Sequence, residues 1–230
     1  NISTAMMRAW ENRSDTCVVD EPFYAYYLKT TGLNHPGYKN VINSQSTNWE
    51  KIARQLSESP VKDAVFYQKH MTHHMLPEID LGWCEKLKHC FLIRDPLLVA
   101  NSYEKKNELM SADDIGVHRQ FALYQQISSL TDKPVSVIDS KDVLQYPEKV
   151  LTHMCTEFGL NFSSEMLNWP KGRRASDGVW AEHWYNAVEL STGFQAYVKP
   201  VIEVSEKGRE IARQCQDNYL AMWEKRFIPS

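Results

Sequence analysis

The stretch Phe91 to Tyr103, FLIRDPLLVANSY, constrains the fold more than any other part of the chain. Phe91, Leu92 and Ile93 form a short apolar run of the kind a buried parallel strand shows. Arg94 and Asp95 interrupt it. Pro96 then suits the first position of a helix, because its missing N–H would go unpaired there anyway. A strand thus ends on a charged pair and turns straight into a helix. In open α/β sheets that edge is where ligands bind. Ser102 lies nearly two helical turns beyond Pro96 and returns close to the same helix face. Arg94 and Ser102 can therefore point toward one anion. The competing reading is an ion pair of Arg94 with Asp95 or a neighbour, and a surface serine on the helix.

The rest of the chain alternates between the two kinds of element. Ile2, Ala5, Met6, Ala9 and Trp10 recur at helical spacing, so a helix is expected at the start. Residues 16–20 (TCVVD) read as a strand, and 23–32 as a helix closed by Gly32. Residues 33–47 read as a loop, with Pro36, Gly37 and several Asn and Ser. Residues 49–58 are helical; 64–69 and 89–94 are strands, and a helix follows from Pro96. A long helical pattern covers 113–130, a strand 135–139, a helix 147–159 stopped by Gly159, and a helix the last 25 residues. Short strands separated by helices predict an α/β fold: a central parallel sheet with helices on both faces, in one domain over residues 1–230.

Composition excludes several partners. With a net charge of −3 the chain offers no bulk electrostatic attraction for nucleic acid or a membrane surface, so any anion site must be local. No apolar run approaches the length that crosses a bilayer, and no signal peptide is visible. Five cysteines without a C-x-x-C pair read as reduced thiols of a cytoplasmic protein. Cys84, His89 and Cys90 match no zinc spacing, so no metal is expected there. The chain starts at Asn1 rather than methionine, which places its native amino terminus upstream as an expectation.

IRDP followed by NSY resembles the 3′-phosphate motif of the sulfotransferase family. There an Arg at a strand end and a Ser eight residues later hold the 3′-phosphate of 3′-phosphoadenosine 5′-phosphosulfate; Arg94 and Ser102 match that spacing. Three further stretches are similar in the same order: residues 1–28, residues 137–151 (VIDSKDVLQYPEKVL), and residues 171–185 (KGRRASDGVWAEHWY). The resemblance implies a three-layer P-loop-type fold whose amino-terminal strand and early phosphosulfate loop precede Asn1. It implies a sulfotransferase moving a sulfuryl group from that donor to a hydroxyl or amine of a small-molecule acceptor, without a metal.

The resemblance also assigns residues. Asn1, Ser3 and Thr4 would be the tail of the phosphate-cradling loop entering a helix, where unpaired N–H groups and the dipole favour an anion. Ser3 also reads simply as a helix cap. Lys171, Gly172, Arg173 and Arg174 match the segment that closes over the 3′-phosphate; by themselves they read as a solvated basic loop. Lys69, ending a strand, and one of His70, His73 and His74 would serve the transfer, the histidine taking the acceptor's proton. Histidine suits that task because its ordinary pKa lies near neutrality. A zinc site on His70 and His74 is the alternative if the segment is helical, and a structural role the third. The aromatic stretches 21–28 and 180–185 read as acceptor pocket or as core. Two rival functions remain: a small-molecule kinase of the same fold, and a non-catalytic nucleotide-binding protein.

Overall fold

The structure, a computed structural model, describes residues 2–105, 108–132 and 135–230; Asn1 lies outside them. In chain order the described elements are α1 (Ile2–Glu11), β1 (Thr16–Asp20), α2 (Tyr24–Thr31), α3 (Tyr38–Ser44), α4 (Trp49–Glu58), β2 (Val65–Lys69), β3 (Cys90–Ile93), α5 (Pro96–Tyr103), α6 (Val117–Leu130), β4 (Ser136–Asp139), α7 (Ser140–Gln145), α8 (Pro147–Phe158), α9 (Ala181–Trp184), α10 (Asn186–Glu189), α11 (Glu206–Gln214) and α12 (Gln216–Trp223). They gather into two compact units. One comprises Asn1–Leu87 with Phe162–Gln195, the other Lys88–Asn161 with Ala196–Ser230.

In the first unit β1 and β2 pair in parallel, Thr16 opposite Val65 and Asp20 opposite Lys69. Parallel partners need a long crossover, and α2, α3 and α4 lie between them in sequence. Helix α1 packs against both strands. Its buried side includes Met6, Met7, Ala9 and Trp10, and Trp10 stacks on Tyr67 of β2 at 5.3 Å. Met7, Leu28, Val41, Trp180 and Tyr185 share one buried cluster. Gly178 makes room for Trp180, since a Cβ there would sit 2.2 Å from the indole.

In the second unit β3 and β4 pair in parallel, with Ile93 opposite Asp139. The turn expected after β3 forms. Asp95 caps α5, its Oδ1 accepting the Leu97 N–H at 2.8 Å, and Pro96 takes the first helical position. Helix α8 begins at Pro147 and stops at Gly159, whose φ of 71° is left-handed. Helix α12 packs on both strands, α11 on α5, and α12 on α6.

Three elements differ from the sequence reading. The pattern over 113–130 is broken by Gly116 (φ 68°) into a 3-10 turn and α6. The stretch 33–47 contains α3, which starts after Gly37 (φ 73°) and buries Val41. The carboxyl-terminal helical pattern splits at Cys215 and ends at Trp223.

Candidate functional site

Both parallel pairs end in charge at their carboxyl edges, and the two ends are built differently. In the first unit Asp20 ends β1 and Lys69 ends β2, in register. The Lys69 ammonium donates to Asp20 Oδ1 at 2.9 Å, to Glu21 and to the Tyr185 hydroxyl at 3.1 Å. An ammonium has three hydrogens, so this set engages all of them, and the residue is only 3% exposed. Tyr185 in turn donates to Asp20 Oδ2 at 2.6 Å and accepts from Trp180 Nε1 at 3.3 Å. Glu21 holds a left-handed φ of 42°, which is costly for a residue with a Cβ. Its N–H donates to the Lys69 carbonyl at 2.8 Å. Burial raises the Glu21 carboxyl pKa against the opposing pull of Lys69. The expectation that Lys69 presents an ammonium to the transferring group therefore meets a different geometry: its donors are turned inward.

The histidines follow β2. His70 is half-buried, leans on Phe23 and Trp83 with ring centroids 5.8 and 6.1 Å away, and has Nε2 3.2 Å from Gln68 Oε1. Thr72–His74 form a 3-10 turn, so His70 and His74 are not presented one α-helical turn apart. Among the described residues no group of three His, Cys, Asp or Glu side chains is placed to hold a metal ion. Burial pushes the Cys84 thiol up to about 11, which disfavours a thiolate ligand. His74 is buried and stacked on Tyr24 at 4.4 Å, with Nδ1 3.8 Å from Glu21 Oε2. Burial, with the neighbouring His73 and Lys69, holds its pKa well below 6.5, so the ring is neutral. His73 is half-buried in the same turn. The aromatic stretches are mostly core: Phe23, Tyr24, Tyr26, Trp180 and Tyr185 are all buried.

At the start of α1, Thr4 is buried and its hydroxyl has no hydrogen-bond partner among the described residues. Ser3, beside it, is half-buried. Arg8, one turn on, is wholly buried and ion-paired with Asp177 at 2.6 Å. Asp177 also accepts the Arg174 N–H at 2.8 Å. A terminal nitrogen of Arg174 is buried without a partner among the described residues. The basic segment is thus tied to α1 through Asp177, and again through Ser176, which donates to Glu11. Lys171 and Arg173 are exposed. Gly172, with φ 113°, donates its N–H to the Glu189 carbonyl at 2.8 Å. Sequence reasoning missed Asp20, Glu21, Arg8, Asp177 and Tyr185. The signal for the first two was the charge that ends TCVVDE, the same signal read at IRDP.

The second unit has the same layout with the opposite outcome. Arg94 follows β3, and Asp139 ends the adjacent β4. Both neighbouring carboxylates are committed elsewhere. Asp95 caps α5; Asp139 accepts the Lys141 N–H at 2.8 Å and the Tyr219 hydroxyl at 3.2 Å. Among the described residues the Arg94 guanidinium makes no hydrogen bond or ion pair, which overturns the ion-pair reading. Burial lowers its pKa, while Asp139, Asp95 and Tyr197 act in the opposite sense. Ser102, on the last turn of α5, is exposed. A half-buried cation that makes no ion pair among the described residues, at the carboxyl edge of parallel strands, is suited to an anion.

The sequence matches the family pattern described as sulfotransferase domain over residues 1–225, and the chain belongs to that family. Its fold is accordingly an α/β sulfotransferase fold. The chain is 33% identical over 196 residues to branched-chain-amino-acid aminotransferase-like protein 1 of Arabidopsis thaliana, and 30% identical to protein 2 of the same name and organism. In each case the match covers 85% of this chain and 35% of the relative, so the chain spans about a third of their length. A solved sulfotransferase domain from the curacin biosynthetic pathway is 18% identical, with 83% of this chain and 77% of that one covered and a TM-score of 0.46. No described helix is long and apolar enough to cross a membrane.

Proposed function

We propose that this chain is a single sulfotransferase domain that moves the sulfuryl group of 3′-phosphoadenosine 5′-phosphosulfate to a hydroxyl or amine of a small-molecule acceptor. The observation that carries this reading is the Arg94 guanidinium at the strand edge, which makes no hydrogen bond or ion pair among the described residues. A 3′-phosphate supplies the direct hydrogen-bonded partner that Asp95 and Asp139, committed elsewhere, do not, with the exposed Ser102 hydroxyl as a further donor. Ser3 and Thr4 at the start of α1 are assigned to the 5′-phosphosulfate. The buried Thr4 hydroxyl, without a partner among the described residues, supports that assignment. Lys171, Gly172, Arg173 and Arg174 are assigned to phosphate charge, and the orphaned nitrogen of Arg174 is their best support.

The reaction is an in-line displacement. The acceptor oxygen or nitrogen bonds to sulfur as the bond from sulfur to the phosphate oxygen breaks. The electron pair leaves on adenosine 3′,5′-bisphosphate, and the acceptor's proton goes to a histidine. Fixed donors belong where charge builds on the leaving oxygen. A sulfuryl group carries less negative charge than a phosphoryl group, so the reading needs no magnesium. Of the histidines, His70 suits the base best. It is less enclosed than His74. If Nε2–H donates to Gln68, Nδ1 holds the accepting lone pair. Lys69 acts through Asp20 and Glu21, holding the end of β2 in place. Five free thiols fit a reducing, cytoplasmic setting.

The test is transfer of labelled sulfuryl from the donor to a panel of phenols, alcohols and amines. Turnover independent of added magnesium supports the reading. Transfer from ATP with magnesium instead makes the protein a kinase, and bisphosphate binding without turnover makes it a binding protein.

A further inference from the structure

Residues 196–205 run as an irregular strap in the second unit. It is fixed to α5 on both sides of Ser102. The buried Asn101 amide donates to the Val201 carbonyl at 3.2 Å and accepts the Glu203 N–H at 2.8 Å. Glu104 accepts the Ser205 N–H at 2.9 Å and its hydroxyl at 2.6 Å. The fit is close, since a Cβ on Gly208 would meet Glu104 Oε1 at 2.4 Å. Pro200 stiffens the middle of the strap by restricting itself and Lys199.

The anchored strap carries Tyr197 to the strand edge. Its phenol lies within electrostatic reach of Arg94. Its ring has the Lys141 ammonium 5.6 Å from the centroid, a cation–π distance. Lys141 follows Asp139, the end of β4, as Arg94 follows the end of β3. Its side chain is exposed, and among the described residues it makes no ion pair. One aromatic residue therefore connects two cations that rise from adjacent strand ends, and among the described residues neither cation makes an ion pair.

We propose that Lys141 is a second cation for the anion that Arg94 binds, and that Tyr197 is its positioning residue, holding the ammonium over its ring. This rests on the 3′-phosphate reading of Arg94 and adds the residues that set selectivity for that phosphate. The aliphatic stem of Lys141 alone would sweep a wide volume. Docked on a ring that the strap fixes, it loses that freedom before the anion arrives, and the cost of ordering it at binding falls.

The test is calorimetric titration of the full chain with adenosine 3′,5′-bisphosphate and with AMP, which lacks the 3′-phosphate. Melting curves establish that each variant is folded. Lys141→Ala is expected to weaken the bisphosphate about three- to tenfold and AMP less than twofold. Tyr197→Leu is expected to do the same, whereas Tyr197→Phe, which keeps the ring, retains wild-type affinity. In the double variant Lys141→Ala with Tyr197→Leu the two losses should not add, because they remove one interaction. Unchanged bisphosphate affinity in Lys141→Ala, or equal loss for both nucleotides, overturns the inference while a wild-type preference for the bisphosphate leaves the 3′-phosphate site standing. A wild-type protein that binds the two nucleotides equally overturns both.

Discussion

Arg94 and Asp139 stand at the ends of adjacent parallel strands and make no ion pair, whereas Lys69 and Asp20, placed in the same way in the other unit, are joined at 2.9 Å. The difference lies in what the aspartate does. Asp20 faces a lysine with no competing donor stronger than Tyr185. Asp139 is taken by the first turn of α7 and by Tyr219. Asp139 remains a repulsive neighbour for any anion on Arg94. Asp139→Asn keeps a good helix cap and removes the charge, so bisphosphate binding should tighten by roughly two- to fivefold, the effect of one partly screened charge. Weaker binding in this variant would mean that the Asp139 charge holds Arg94 in its working position.

Lys69→Met leaves Asp20 and Glu21 buried without their cation. Breaking a buried pair on one side costs about 3–5 kcal/mol, and chemical denaturation should register a loss of that size. A variant with unchanged stability and reduced turnover would instead give Lys69 the direct role that its family position implies.

His70→Ala should cut turnover by roughly 10²–10⁴ with bisphosphate affinity intact, the range for loss of a general base. His74→Ala should act mainly through stability, because the ring it removes packs on Tyr24 and Tyr27. Equal losses of turnover in two well-folded variants would show that the proton is not taken by His70 alone.

His74 also gives a pH signature. Its folded pKa lies well below 6.5, so the unfolded chain takes up the proton first. Its contribution to stability is full above about pH 6.5 and is lost as pH falls toward the folded value, with a limiting slope of about 1.4 kcal/mol per pH unit. The raised Glu21 carboxyl works in the opposite sense: its contribution declines as pH rises above its ordinary 4.5. The difference between wild type and His74→Asn isolates the histidine. That difference should shrink steadily from pH 7 to pH 5; a constant gap would place the His74 pKa near its ordinary value.

The segment Lys171 to Trp180 resembles one that closes over the 3′-phosphate, which implies a lid mobile when empty. The structure ties its second half to α1 by Asp177 with Arg8 and by Ser176 with Glu11. Amide exchange at residues 174–178 should accordingly be slow with or without adenosine 3′,5′-bisphosphate, and any ligand-induced slowing should fall on 171–173. Fast exchange across 174–178 in the free protein would restore the mobile lid.

The strands, the start of α5 and the capped ends at Gly32 and Gly159 were legible because each rests on a local signal: an apolar run, a proline at the first helical position, a left-handed glycine. Arg94 was legible for the same reason. The α3 helix was hidden because its Asn- and Ser-rich sequence is helical only through Val41 and its packing on α2. The buried network of Asp20, Glu21, Lys69 and Tyr185 joins residues more than a hundred positions apart. No spacing rule links them; the parallel register pairs Asp20 with Lys69, and the fold brings Tyr185 to both. Lys69 was read correctly as a strand end, but its direction is set by partners that only the fold brings near.

The central claim is that Arg94 binds a 3′-phosphate, and the most direct measurement is the affinity of wild type and Arg94→Ala for adenosine 3′,5′-bisphosphate and for AMP. The wild type should prefer the bisphosphate, and Arg94→Ala should lose ~1.5–3 kcal/mol of bisphosphate binding, the scale of a charge-assisted hydrogen bond, while AMP affinity stays nearly constant. Bisphosphate affinity unchanged by the substitution, or the same fall for both nucleotides, would contradict it.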